Sequence, residues 1–228
     1  MIPVIGIPHY GEWRHTEKLL ASIPRDRVEL IHIVDNTPSY GRIEVSDPQV
    51  VISRPWRNIG VAAAWNAVIK WNPEQRWWFL VNNDIVLSEE NLDAIERAMR
   101  LYDAATFGGM HAFGIRQTAI QKVGWFDENF APCYFEDNDW DYRARLLNVH
   151  VEKGLGPVAH HYGSAVIRDS EKYRSLNGRT FPMNQRYYEQ KWGGSVDHEV
   201  YTTPFNRGGS PREWTLDINR LANQSWKE

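Results

Sequence analysis

Two acidic motifs in this chain have residue types and settings that could hold a cation and move a proton. Trp77-Trp78-Phe79-Leu80-Val81-Asn82-Asn83-Asp84 is an apolar run closed by two amides and a carboxylate, which is how a buried strand delivers a ligand to the edge of a sheet. Downstream, Gly124-Trp125-Phe126-Asp127-Glu128 is followed by Phe135-Glu136-Asp137-Asn138-Asp139-Trp140-Asp141, which places five acids between Asp127 and Asp139. A helix N-terminus, where the dipole favours negative charge, explains one or two of them but not the whole cluster.

A cation held by Asp84 would act as a Lewis acid on the charge that grows on a diphosphate leaving group. Oxygen ligands favour Mg or Mn, and one imidazole from His160 or His161 shifts the balance toward Mn. Because Asn82 is an amide, a bound diphosphate is expected to supply most of the remaining ligands. An acceptor hydroxyl is a poor nucleophile until a base takes its proton, and Asp137 is the expected base, with Phe135 and Trp140 excluding water and raising its pKa. Glu136 or Asp139 could hold that role instead.

The elements that must position these residues alternate between strand and helix, the pattern of an α/β sheet with parallel crossovers. Strands are predicted at 3–8, 29–34, 50–53, 77–82 and near 106–109, then near 150–152 and 158–161. Helices are predicted at 13–23, from Ile59-Gly60 to Ile69, at 89–101 with Ser88 as N-cap, near 118–123, and at 137–147. A last helical patch near 183–192 precedes an extended arm from Tyr201 to Glu228 that could wrap the core or pair with another subunit. In such sheets ligands bind beyond the carboxyl ends of the strands. Pro8-His9-Tyr10, Asp35-Asn36, Asn82-Asn83-Asp84 and His160-His161 all fall at such ends, and one pocket could gather them. Singly, each reads as a turn. Alternation along the last strand should turn only one of His160 and His161 into the site.

The chain has 228 residues, enough for one domain with a tail, and a formal charge of -3; it offers no global electrostatic case for nucleic acid or an anionic membrane. One cysteine, Cys133, excludes an internal disulfide framework and fits a reducing compartment. No segment approaches the about 20 apolar residues of a spanning helix, and the N-terminus lacks a basic signal region. A cytoplasmic location is the expectation. Eleven Trp and ten Tyr suit both core packing and stacking on sugar rings or bases.

In order and spacing these motifs resemble the family 2 type of GT-A glycosyltransferases, in particular its rhamnosyltransferase-like members, over roughly residues 3–164. The resemblance implies a GT-A fold, a Rossmann-like, mixed and mainly parallel sheet flanked by helices, occupying residues 1–200 with a C-terminal arm at 201–228. It implies a metal-dependent hexosyltransferase that moves a sugar from a UDP-, dTDP- or GDP-sugar to an acceptor hydroxyl with inversion. By that resemblance Asp35 recognises the base. Arg57, Asn58 and Gly60, with Asn66 on the small-residue helix, lie under the nucleotide, alongside Pro8, His9, Tyr10 and Asn36. Asn82-Asn83-Asp84 takes the place of the DxD metal motif and a histidine at 160 or 161 completes the metal site. Glu136, Asp137 and Asp139 form the acceptor-side acidic signature. Trp125, Glu128 and Trp140 are placed against the sugar or acceptor, Asp127 is expected to organise its loop or to contact the sugar or acceptor hydroxyls, and Arg143 is expected to pair with a carboxylate. Lys191-Trp192-Gly193-Gly194 reads as acceptor-side or, for Trp192, as core.

The acceptor is open among saccharide, lipid-linked and protein partners, and the arm leaves room for a homo-oligomer. A nucleotidyltransferase would carry a Gly-rich basic loop after the first strand, where this chain has Pro8-His9-Tyr10-Gly11-Glu12. A glycoside hydrolase would use two carboxylates but no nucleotide pocket. A non-catalytic nucleotide- or sugar-binding protein of the same fold is the remaining alternative.

Overall fold

The computed structural model describes residues 1–37 and 43–209. The turn-rich stretch after Asn36 and most of the C-terminal arm fall outside these residues.

Strands β1 (Ile2–His9), β2 (Val28–Asp35), β3 (Val50–Ser53), β4 (Trp77–Val81), β6 (Ala104–Thr106), β7 (Ala112–Arg116) and β8 (Val151–Glu152) form one sheet in the order β3-β2-β1-β4-β7-β6-β8. The β1·β2, β2·β3, β1·β4 and β6·β8 pairings are parallel, and β7 runs antiparallel to β4 and β6. This is the mixed, mainly parallel α/β sheet expected. Every residue of β1 is buried, because helices cover both faces of the sheet and leave no position for alternation.

Helices α1 (Trp13–Ala21) and α3 (Glu89–Leu101) pack on one face, with Leu19, Leu20, Leu92, Ile95 and Met99 in its core. Helices α2 (Gly60–Trp71), α4 (Gln117–Val123) and α5 (Glu136–Leu146) cover the other through Trp65, Val68, Ile120 and Trp140. Ser88 caps α3 through a capping box completed by Asn91. Gly6 lets α2 approach β1, since a Cβ there would fall 2.6 Å from Val68 and 2.7 Å from Leu80.

The structure corrects the outline in three places. The strand expected near 106–109 lies slightly earlier, as β6, with 107–109 in the turn that follows it, and β7 is a further strand beyond that turn. A two-stranded ribbon pairs β5 (Ile85–Val86) with β9 (His160–His161), so the histidines sit on a ribbon beside the main sheet. Helix α7 (Glu171–Trp192) starts well before residue 183 and runs through Pro182. Its polar composition hid it, because it buries only Thr180, Asn184, Tyr188, Lys191 and Trp192. A four-residue helix, α6 (Ala165–Arg168), leads into it. The described start of the arm folds back: Tyr201 accepts a hydrogen bond from the Tyr142 hydroxyl and lies over Gly193. No described helix is long and apolar enough to cross a membrane.

Candidate active site

The chain leaves β1 toward β2 and β3, then crosses back to insert β4 on the other side of β1. The crevice beyond such a switch point is where open α/β sheets bind ligands. Here it is a cavity of about 330 Å³, walled by the ends of β1, β2 and β4, the N-terminus of α2, the loop into α5, and α6 with the first half of α7.

On the β1 and β2 side stand Pro8, His9, Tyr10, Asn36, Asn58 and Gly60. His9 Nδ1 is 2.7 Å from the Thr16 hydroxyl, and its Nε2 is buried without a partner. Burial holds its pKa below the ordinary imidazole value against the pull of Asp35. Asp35, paired with His9 in register, sits behind the cavity wall; Oδ1 accepts from the Thr37 amide, and Oδ2 has no hydrogen bond. Asn36 binds the turn into α2, accepting from the Ile59 amide at 3.2 Å. Gly60 has φ +85, and a Cβ would come 3.0 Å from the Pro132 carbonyl, so this junction of α2 with the loop before α5 requires glycine.

At the floor, Asn82, Asn83 and Asp84 line the cavity, as does His161. Asp84 Oδ1 lies 3.6 Å from His161 Nε2, and its Oδ2 accepts from the Ala165 amide. Asn82 Oδ1 is buried and unpartnered. His111, which motif reading missed, stacks on His161 with centroids 4.4 Å apart; burial first, and then His161, lower its pKa. It comes from the turn before β7, and no local pattern marked it. His160 is exposed, packed edge-on to Tyr162.

The opposite wall carries Cys133, Tyr134, Glu136 and Asp137. Tyr134 and Phe135 both have left-handed backbones, with φ 78 and 75, a strained arrangement in residues of this type. Asn184 of α7 holds the loop by donating to the carbonyls of Cys133 and Tyr134. Burial raises the pKa of Asp137 against the Asn138 amide that donates to Oδ1. Burial also raises Glu136 well above the carboxylate range, with Asp137 adding to it, and Glu136 Oε2 has no partner. The Cys133 thiol is pushed up by burial, which suppresses its thiolate. Across the cavity mouth Tyr173 of α7 packs on Tyr10, and the Tyr134 hydroxyl meets Ser164. None of the three α7 residues at this wall, Tyr173, Leu176 and Asn177, is marked by a sequence motif.

Several expected site residues are elsewhere. Asp139 is sealed from solvent and cannot meet an acceptor: its oxygens are taken by Arg143, by Lys191 at 2.5 Å and by Trp192. Burial alone would raise its pKa, but Lys191 and Arg143 outweigh it and hold it down. Asp127 is buried against Lys191, Tyr187 and Asn129. Asn66 binds the backbone of Phe126 and the Glu128 carboxylate, fastening α2 to the 124–128 loop. Trp140 is core, its indole donating to the Gly124 carbonyl. Trp125 lies under Lys70 on the outside, and Arg57 is exposed over Trp56. Arg143 pairs with a carboxylate as expected.

Among the described residues no three His, Cys, Asp or Glu side chains gather around one point. The candidate metal centre therefore offers Asp84 and His161, with the orphan oxygen of Asn82 on the same floor. Such a two-ligand set suits a cation that arrives with oxygen ligands of its own.

No family model matches the chain. Among curated proteins, a galactofuranosyl glycosyltransferase of Leishmania donovani is 29% identical over 134 residues, spanning 49% of this chain and 30% of that protein. The chain resembles a glycosyltransferase. That is the resemblance its motifs carry, now met in a named relative; the rhamnosyl detail has no counterpart there. The chain spans under a third of the relative's length. Of solved structures, S. aureus TarS 1-349 aligns at 14% identity over 67% of this chain and 58% of that one, with a TM-score of 0.48. Its complex with UDP aligns at 12% over 67% and 57%, also at 0.48.

Proposed function

We propose that this chain is a metal-dependent glycosyltransferase that moves a hexosyl group from a nucleotide sugar to an acceptor hydroxyl with inversion. The observation that carries the reading is that Asp84 and Asp137 line one cavity at the switch point between β1 and β4. In this reading the β1 and β2 side receives the nucleotide, with Asn36, backed by the buried Asp35, toward the base and Asn58 and Gly60 toward the ribose and phosphates. Asp84 and His161 would hold a Mn or Mg ion, which would supply neutralisation of charge on the departing diphosphate.

Asp137 accepts the acceptor's proton as the acceptor oxygen bonds to the anomeric carbon and the bond from that carbon to the diphosphate oxygen breaks. Its raised pKa makes it a stronger base than an exposed aspartate. Burial raises the pKa of Glu136, and in its protonated form it would be a hydrogen-bond donor beside the base.

The relative is named for galactofuranosyl transfer, so a nucleotide-linked galactofuranose is the first donor to assay, followed by UDP-, dTDP- and GDP-hexoses. The test is donor consumption by purified protein with Mn, compared with the Asp137→Asn variant. Turnover in the wild type that falls in the variant supports the reading; equal turnover removes Asp137 as base. Donor binding without turnover across the panel would favour a non-catalytic binding protein, a reading supported by the amide at position 82.

A further inference from the structure

A second concavity of about 230 Å³ opens on the outer side of the loop that leads into α5, between Phe135 of that loop and the second half of α7. Phe135, Phe181 and Val196 form its apolar surface, with the buried Tyr188 behind them, and Gln185 and Glu189 stand one turn apart on α7 at its rim. We propose that this groove binds a saccharide segment of the acceptor, one or more units away from the hydroxyl that reacts. The proposal rests on the transferase reading.

Continuity with the cavity is the first argument. Tyr134 lines the cavity and Phe135, the next residue, lines the groove. Phe181 touches both rings, with centroids 5.3 Å from Tyr134 and 5.1 Å from Phe135. An acceptor passing from Asp137 over this aromatic ridge enters the groove directly.

Lining chemistry is the second. Sugar rings present one apolar face with hydroxyls around the edge, and aromatic surfaces rimmed by planar amide and carboxylate groups match both. Gln185 donates to Glu189 at 2.9 Å, which pre-orients the two groups while leaving further capacity to meet hydroxyls. Glu189 also sets a negative charge at the rim, which disfavours a phosphate, and the polar rim disfavours an alkyl chain. Phe181 is 37% exposed and held by ring contacts, so its surface is available to a ligand.

The test uses the full chain and gluco-, manno- and galacto-configured oligosaccharides of one to four residues, with binding followed by NMR titration and no donor present. For at least one configuration the tetrasaccharide should bind about tenfold more tightly than the monosaccharide. Gln185→Ala should remove most of that gain while leaving the melting temperature and donor hydrolysis at wild-type values, and Phe181→Ala, which also gives up its ring contacts with Tyr134 and Phe135, should remove it at temperatures below the variant's own melting transition. Absence of a length gain in every configuration, a gain that survives in both variants, or occupation of the groove by octanol and not by sugars would overturn the proposal. Failure of donor hydrolysis in the wild type would instead count against the transferase reading, so the two failures are distinguishable.

Discussion

The Nζ of Lys191 lies 2.8 Å from Asp127 Oδ2, with both side chains sealed from solvent. The same ammonium reaches Asp139, which also holds Arg143, so two carboxylates and two cations close a buried neutral cluster. It ties α7 to the loop at 127 and to α5, the helix whose first turn carries Glu136 and Asp137. Breaking such a cluster from one side leaves an uncompensated buried charge. Lys191→Met should therefore destabilise the protein by about 3–5 kcal/mol, read as a shift in the urea midpoint. A loss under about 1 kcal/mol would show that the cluster is not as desolvated as its burial indicates.

Asp84→Asn should lower Mn-supported transfer by about a hundredfold, in line with several kcal/mol of leaving-group stabilisation. Calorimetry should also show that Mn no longer strengthens nucleotide diphosphate binding. Retention of the Mn effect in the variant would argue that Asp84 serves only to receive the Ala165 amide.

Asp137→Asn should reduce transfer by about 10²- to 10⁴-fold, the range for loss of a positioned base. In the wild type, the acid limb of kcat/KM should lie above the ordinary aspartate range, because burial raises the pKa of this carboxyl. Activity rises as Asp137 ionises and falls as pH drops through its pKa. A limb at the value of an exposed aspartate would contradict this assignment.

Glu136 affects stability with the opposite sign to a salt-bridged acid. Its pKa is higher folded than unfolded, so the contribution it makes when neutral is complete below the unfolded value and is lost as pH rises through the folded one. Glu136→Gln should melt close to wild type near pH 4, and the variant's advantage should grow with rising pH. Equal melting temperatures at all pH values would show that Glu136 is not held neutral.

Much of the sheet is legible in the sequence because its central strands are short apolar runs closed by polar residues, as at Val28–Asp35 and Trp77–Val81. Helix α3 is legible to the residue, since Ser88 and the acidic first turn mark its start. Helix α7 is not, because a 22-residue helix that packs along a narrow stripe carries little apolar periodicity. The acids of the downstream motif illustrate the same limit. Asp137 and Asp139 look equivalent on paper, yet one lines the cavity and the other is consumed by Lys191 and Arg143.

The sequence by itself determined the alternating α/β pattern, the polar tips at Asp35-Asn36 and Asn82-Asn83-Asp84 that close β2 and β4, and the acidic start of α5, since each depends on neighbours along the chain. Tertiary structure decided which polar groups share a space. His111 reaches His161 only because β7 runs antiparallel to β4 and the β5·β9 ribbon brings residue 161 back to Asp84. Asp127, Asp139 and Asn66 are withdrawn from the cavity because cations and amides distant in sequence fold onto them. Burial and pairing are properties of the packed chain, and they separate a carboxylate that can accept a proton from one that holds two helices together.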